Sequence, residues 1–284
     1  MPTLGLFGTN QGVCATADAL ARIGALAEEL GYDSLWMGEH VVAPSPRVAP
    51  SPIEPDDPML DPLVALGFVA GVTRTIRLAT GIIILPQRNP LVLAKQLASL
   101  DVVTKGRLIF GMGVGYLEPE MSAIGVPMEG RGARADEYLG AMRELWEANA
   151  PAFHGRHVEF EHVDAHPRPV QRPLPVVVGG HSTAAHRRAV RSAQGWYGYM
   201  LDRATTAQQI ESLRNEAQAA GRDLAGFTIT VSPAERLDPD AVRAYGELGV
   251  DRLVLVPRPQ PSVADLEEYV RARAPEGVGA ETAG

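Results

Sequence analysis

Two side chains able to move a proton or a charge stand together at the end of an apolar run. Leu35-Trp-Met-Gly38 is followed at once by Glu39 and His40. Neighbouring residues at a strand end point to different sides, so one of the pair can face an open site. A neutral imidazole suits proton transfer or the polarising of a carbonyl, and equally a structural place on a rim. Two glycine turns add a second kind of chemistry. Gly111-Met-Gly-Val-Gly115 lets backbone amides approach an anion or a flat ring. It lacks the third glycine of a dinucleotide fingerprint and does not open a βαβ unit. Gly179-Gly-His181-Ser182 joins an apolar run to a helix with Ser182 at its N-cap. Free amides and the helix dipole there favour a phosphate. Asn10, Arg88 and Arg258 follow other apolar runs and, with Glu39, are candidates for substrate or rim contacts.

Other chemistries find little support. There is no Gly-x-Ser-x-Gly elbow, and Cys14, the single cysteine, has no evident activating histidine. A hydrolase would therefore lack its nucleophile. His154, His157, His162 and His166 lie near Glu159, Glu161 and Asp164, but their spacing matches no zinc pattern, so no metal is expected. The net charge of −8, with no basic stripe, argues against a nucleic-acid partner. One cysteine allows no disulfide framework and points to a reducing compartment. No apolar run approaches the ~20 residues of a membrane span. The N-terminus lacks the charged and apolar regions of a signal peptide, so a cytoplasmic protein is expected.

A repeating block must position these residues. Eight apolar runs are each followed by a polar or glycine-rich turn and a helical pattern: Thr3–Phe7, Ser34–Gly38, Leu78–Leu85, Leu108–Gly113, Val176–Gly179, Trp196–Met200, Phe227–Val231 and Leu253–Val256. The runs are continuous rather than alternating, as in strands buried on both faces. The pattern predicts an α/β fold, a (β/α)8 TIM barrel spanning 1–274, with chemistry on the loops after the strands. Asp61-Pro62, Asn89-Pro90 and Asp238-Pro239 pair a capping side chain with proline at a helix start. Residues 44–62 contain seven prolines, a long rim loop suited to a lid. Phe153–Phe160 reads as a hairpin turning at Gly155, within an excursion before the fifth strand. Residues 275–284 read as a disordered tail.

The run Leu78-Ala-Thr-Gly-Ile-Ile-Ile-Leu-Pro-Gln-Arg-Asn-Pro-Leu-Val-Leu-Ala-Lys-Gln-Leu-Ala-Ser-Leu-Asp101 resembles the luciferase-like monooxygenase superfamily. Gly106–Tyr116, Arg131–Tyr138, Phe153–Gly155, Pro169–Pro173 and Val178–Ser182 continue the resemblance. It is closest to the branch that uses coenzyme F420, a deazaflavin. The resemblance implies a flavin or deazaflavin at the barrel mouth of a homodimer. It implies that Gly113, Val114 and Gly115, with Gly179, Gly180, His181 and Ser182, hold the cofactor phosphate. It also implies a non-proline cis peptide near Gly81-Ile82-Ile83 behind the ring, and places His40 at the ring's redox centre. The sugar-phosphate dehydrogenases of that branch carry a tryptophan where this chain has Pro44, and a glutamate where it has Tyr116. A sugar phosphate is therefore not the expected substrate. Tyr116 can serve as a phenolic proton donor or pack on the ring.

The expected activity is hydride transfer between F420 and a small organic molecule, with His40 and Tyr116 catalytic. The alternatives are an FMN-dependent monooxygenase fed by a separate flavin reductase, and a flavin-binding protein without turnover.

Overall fold

A computed structural model describes residues 1–282. In chain order its strands are β1 (Thr3–Phe7), β2 (Ser34–Met37), β3 (Arg77–Thr80), β4 (Ile83–Ile84), β5 (Leu108–Gly113), β6 (Phe153–His154), β7 (Glu159–Phe160), β8 (Val176–Gly179), β9 (Gly195–Leu201), β10 (Thr228–Pro233) and β11 (Arg252–Leu255). The β6–β7 pair is the antiparallel hairpin expected around Gly155. All other pairings are parallel, in the order β3-β2-β1-β11-β10-β9-β8-β5-β4, and β3 also pairs with β5 to close the ring. The result is an eight-stave barrel. The third stave is interrupted at Gly81–Ile82, whose peptide is cis.

The barrel has two apolar layers. Phe7, Trp36, Ala79, Ile109, Val177, Tyr197 and Val254 come from seven different staves and cluster together inside the ring. Trp36 and Tyr197 fill the lumen with ring centroids 5.0 Å apart. Ser232, from β10, shares a 2.6 Å hydrogen bond with the buried Tyr197 hydroxyl. The lumen is thus a plug, and a cavity opens above it. The opposite faces of the same strands, including Leu4, Leu6, Leu35, Leu78 and Leu253, pack outward against the helices. This is why the strands read as continuous apolar runs.

The helices are α1 (Ala17–Glu29), α2 (Pro62–Val72), α3 (Pro90–Val103), α4 (Glu118–Ala123), α5 (Arg131–Glu147), α6 (Thr183–Ser192), α7 (Arg203–Ala220), α8 (Pro239–Leu248), α9 (Val263–Arg271) and α10 (Pro275–Val278). Asp61, Asn89, Asp238 and Ser262 cap their helices through side-chain oxygens. The short helix α4 was not expected from the sequence. The reading of 275–284 as disordered needs correction over 275–282. There α10 forms, Val278 is buried, and the Glu281 amide donates to Pro2 O at 3.0 Å. Residues 283 and 284 lie outside the described residues. No described helix is long and apolar enough to cross a membrane.

Candidate active site

A cavity of about 470 Å³ opens at the C-terminal ends of the strands. Gly38, Glu39 and His40 reach it from β2, and Gly81, Ile82 and Ile84 from the interrupted third stave. Gly113–Tyr116 follow β5, Gly179–His181 follow β8, and Tyr197 and Tyr199 come from β9. Pro52, Ile53 and Met59 of the proline-rich loop complete the wall. That loop is stitched to the turn after β1: Asn10 Nδ2 donates to Leu60 O at 2.8 Å and to Gly38 O at 2.9 Å, and the Gly12 amide to Pro58 O at 2.9 Å.

The glycines make room for the Ile82 side chain. A Cβ on Gly113 would lie 2.5 Å from Ile82 Cδ1, and one on Gly179 3.1 Å from Ile82 Cγ2. Gly115 has φ +79, a conformation side chains resist, and a Cβ there would meet Ile84 at 2.8 Å. Arg131 Nε donates to Gly115 O at 3.1 Å and so pins this turn from the start of α5. Opposite, Ser182 accepts from the Ala185 amide and caps α6. Asp136 and Arg188 pair between α5 and α6, holding the two glycine turns to neighbouring helices. His181 Nε2 accepts the Tyr199 amide at 3.1 Å. Burial holds its pKa below the usual imidazole value, so the ring is neutral near pH 7.

His40 is nearly enclosed, its side chain 9 % exposed. Its Nδ1 lies 2.9 Å from Glu120 Oε2, and Glu120 Oε1 accepts the Val41 amide at 2.6 Å. Tyr116 Oη lies 3.5 Å from His40 Nε2, with the two rings edge to face. Burial, with the Glu120 carboxylate nearby, raises the Tyr116 pKa and keeps it a phenol. Glu120 was missed from the sequence because it sits 80 residues from His40, on a one-turn helix in what reads as loop. Glu118-Pro119, a proline in the first turn, was the available signal.

Several expected site residues do other work. Ile83 is fully buried and packs outward with the core, while Ile82 and Ile84, on the opposite side of the chain, face the cavity. Asn10 is a buried tie between loops rather than a free contact. Glu39 carboxylate oxygens accept from Arg88 and from the Ile84 amide at 2.7 Å, and Arg88 also pairs with Asp61. Arg88 is thus committed to an internal network. Ser182 stands next to the cavity wall but is spent on its cap. Arg258 lines a second cavity of about 480 Å³ above β1 and β11, which shares Phe7, Gln11, Ile53, Met59 and Tyr199 with the first.

A closed parallel barrel with a glycine-walled mouth and an imidazole at the end of its second stave defines a class, and sequence comparison gives it a family. The chain belongs to the luciferase-like monooxygenase family, whose profile matches residues 4–274. The Mycobacterium tuberculosis protein Rv0953c is 36% identical over 278 residues, covering 95% of each chain. The FMNH(2)-dependent dimethylsulfone monooxygenase of Pseudomonas putida is 28% identical over 179 residues, 56% of this chain and 49% of that one. Among solved structures, the coenzyme F420-dependent tetrahydromethanopterin reductase of Methanopyrus kandleri superposes with a TM-score of 0.78 at 16% identity, covering 97% of this chain and 99% of that one. The family's members are oxidoreductases, and these relatives and neighbours include an FMNH(2)-dependent and an F420-dependent enzyme.

Proposed function

We propose that the protein is a cytoplasmic oxidoreductase that transfers a hydride between coenzyme F420 and a small organic substrate. The observation that carries this reading is the pairing of a ring-sized slot with a proton-handling group. The cavity volume lies within the ~300–1,000 Å³ of small-molecule sites. Gly113 and Gly179 let Ile82 pack close against both turns, where a Cβ on either would press into it, and Ile82 faces the open space of the cavity. His40 and Tyr116 stand at the mouth of that space. The residues present fit a tricyclic ring.

Gly113–Gly115 and Gly179–Ser182 would hold the cofactor's phosphate, the latter with the free first-turn amides of α6. Ile82, with Gly81, would back the ring. When bound, the deazaflavin supplies a carbon that gives or takes a hydride. The chain's own residues supply the rest. His40 Nε2 takes or returns the proton that accompanies each hydride, and Tyr116 Oη, 3.5 Å away, stands ready to share it. Pro52, Ile53 and Met59 exclude water from above.

FMN is the second reading, favoured by the similarity to the Pseudomonas putida monooxygenase. Titration of the purified protein with F420 and with FMN, followed by ring absorbance and fluorescence, separates the two. Micromolar or tighter F420 binding with weaker FMN binding is the expected result. Oxygen consumption with FMN and a flavin reductase would favour the second reading. Tight binding with no substrate-dependent change in the chromophore would indicate a binding protein.

We also propose a homodimer. Helix α2 is apolar on every side, and Val64, Phe68 and Val72 stand exposed on it. Val92 and Val103 are exposed on the adjacent α3. A helix apolar all round belongs in an interior.

A further inference from the structure

Glu120 is a carboxylate almost without solvent, 1% exposed, and among the described residues no arginine or lysine bonds to it. Its hydrogen-bond partners are the Val41 amide and the His40 ring. Burying a carboxylate with so little compensation is costly, and a core position would be cheaper to fill with an apolar side chain. We infer that Glu120 is the positioning residue of the site: it fixes His40 in the tautomer that carries hydrogen on Nδ1 and leaves Nε2 bare toward the cavity. The inference deepens the proposed function, because it rests on His40 as the proton partner and says which nitrogen does the work.

The hydrogen bonds determine the tautomer. The Val41 amide can only donate, so Glu120 Oε1 is committed to accepting from it. Oε2 is then the atom facing Nδ1, and, with Glu120 as the carboxylate, which can only accept, the hydrogen between them belongs to the ring. In solution the other tautomer is the commoner, so the protein selects the rarer form. A substrate proton taken by Nε2 leaves an imidazolium beside a buried carboxylate, which stabilises it. When the proton returns to the substrate, Nε2 is bare again and Nδ1 has not changed. The proton count balances in either direction, one proton per hydride. Tyr116 from the turn after β5 also faces His40, and His181 and Tyr199 face the same cavity. Glu39, next to His40 in the chain, is turned to Arg88 and Ile84.

Glu120→Gln is the informative variant, because the Val41 amide dictates how the new side chain sits. Its oxygen must stay on Val41, so its NH₂ group faces Nδ1. Nδ1 must then accept, and the hydrogen moves to Nε2. The experiment is a long-range ¹H–¹⁵N spectrum of the protein labelled at histidine, with His40→Gln identifying the resonances. No cofactor or substrate is needed. The wild-type protein is expected to show His40 protonated on Nδ1 and bare on Nε2, Glu120→Gln the reverse, and Glu120→Asp the wild-type pattern. A wild-type His40 protonated on Nε2, or the same tautomer in wild type and Glu120→Gln, overturns the inference. If Glu120→Gln does not fold, the wild-type and Glu120→Asp spectra still decide it. Failure of F420 to bind, with the expected tautomers, would remove the proposed function and leave this assignment standing.

Discussion

His40 is where the chemistry is concentrated, and its replacement should separate binding from turnover. His40→Ala removes the proton partner but leaves the glycine walls and Ile82 untouched. General acid–base residues contribute typically about 10²- to 10⁴-fold. The expected outcome is a loss of that size in steady-state turnover with F420 affinity unchanged, checked by stopped-flow absorbance and equilibrium titration. Gly113→Val should do the opposite. Its side chain would collide with Ile82, since even a Cβ lies 2.5 Å from Ile82 Cδ1, and would push Ile82 out of the place where it backs the ring, so titration should show ring binding lost while the protein remains folded. At this scale the sequence was informative where function coincides with a strand end. His40, Gly113–Tyr116 and Gly179–His181 stand where the apolar runs stop, and all line one cavity. Glu120 was invisible because its meaning comes from a contact across 80 residues. Asn10 and Arg88 raise a related question. A polar side chain at a strand end can bind a ligand or hold two loops together, and only the partner atoms tell which.

The element most exposed to a single change is the interrupted third stave. Glu39 accepts the Ile84 amide at 2.7 Å and so anchors β4, while Arg88 joins Glu39 to Asp61 at the start of α2. Burial pushes the Glu39 pKa up, and the Arg88 guanidinium opposes that rise. Arg88→Ala would leave a buried carboxylate without its counter-charge. Breaking one side of a buried pair costs about 3–5 kcal/mol, here somewhat less because Arg88 is partly open to water. The sign of the pH effect follows from Glu39. With the guanidinium gone, its folded-state pKa lies further above the unfolded value. The folded variant then holds a proton that the unfolded chain releases, and that contribution to stability is present at low pH and lost as pH rises. Urea melts of both proteins should show a larger loss at pH 8 than at pH 5, and an equal or reversed difference would contradict the pairing. Helix caps, by contrast, were legible from sequence because they are local. Asn89 accepts from the Leu91 and Val92 amides at 3.0 and 3.2 Å. Asn89→Ala should cost about 1 kcal/mol in the same melts. The cis peptide falls inside the three residues where the family resemblance placed it. Composition and periodicity carry no signal for it.

At the scale of the whole molecule, the barrel was readable because eight buried strands and their caps repeat, and repetition survives local errors. The proposed association of two chains was less so. It depends on which helix face stays uncovered, and that appears only once the others are packed. If α2 is the interface, Val64→Asp with Phe68→Asp should convert a dimer to a monomer by light scattering, with the fold intact by circular dichroism. A monomeric wild-type protein would remove that proposal. The two mouth cavities share Phe7, Ile53, Met59 and Tyr199 in their walls. The central claim is that the first cavity is built for a deazaflavin. Equilibrium titration with F420 and with FMN, read by ring fluorescence, tests it most directly. The account predicts saturable, micromolar or tighter F420 binding that is lost in Gly113→Val, with FMN markedly weaker. Preferential binding of FMN, or binding of neither, would contradict it.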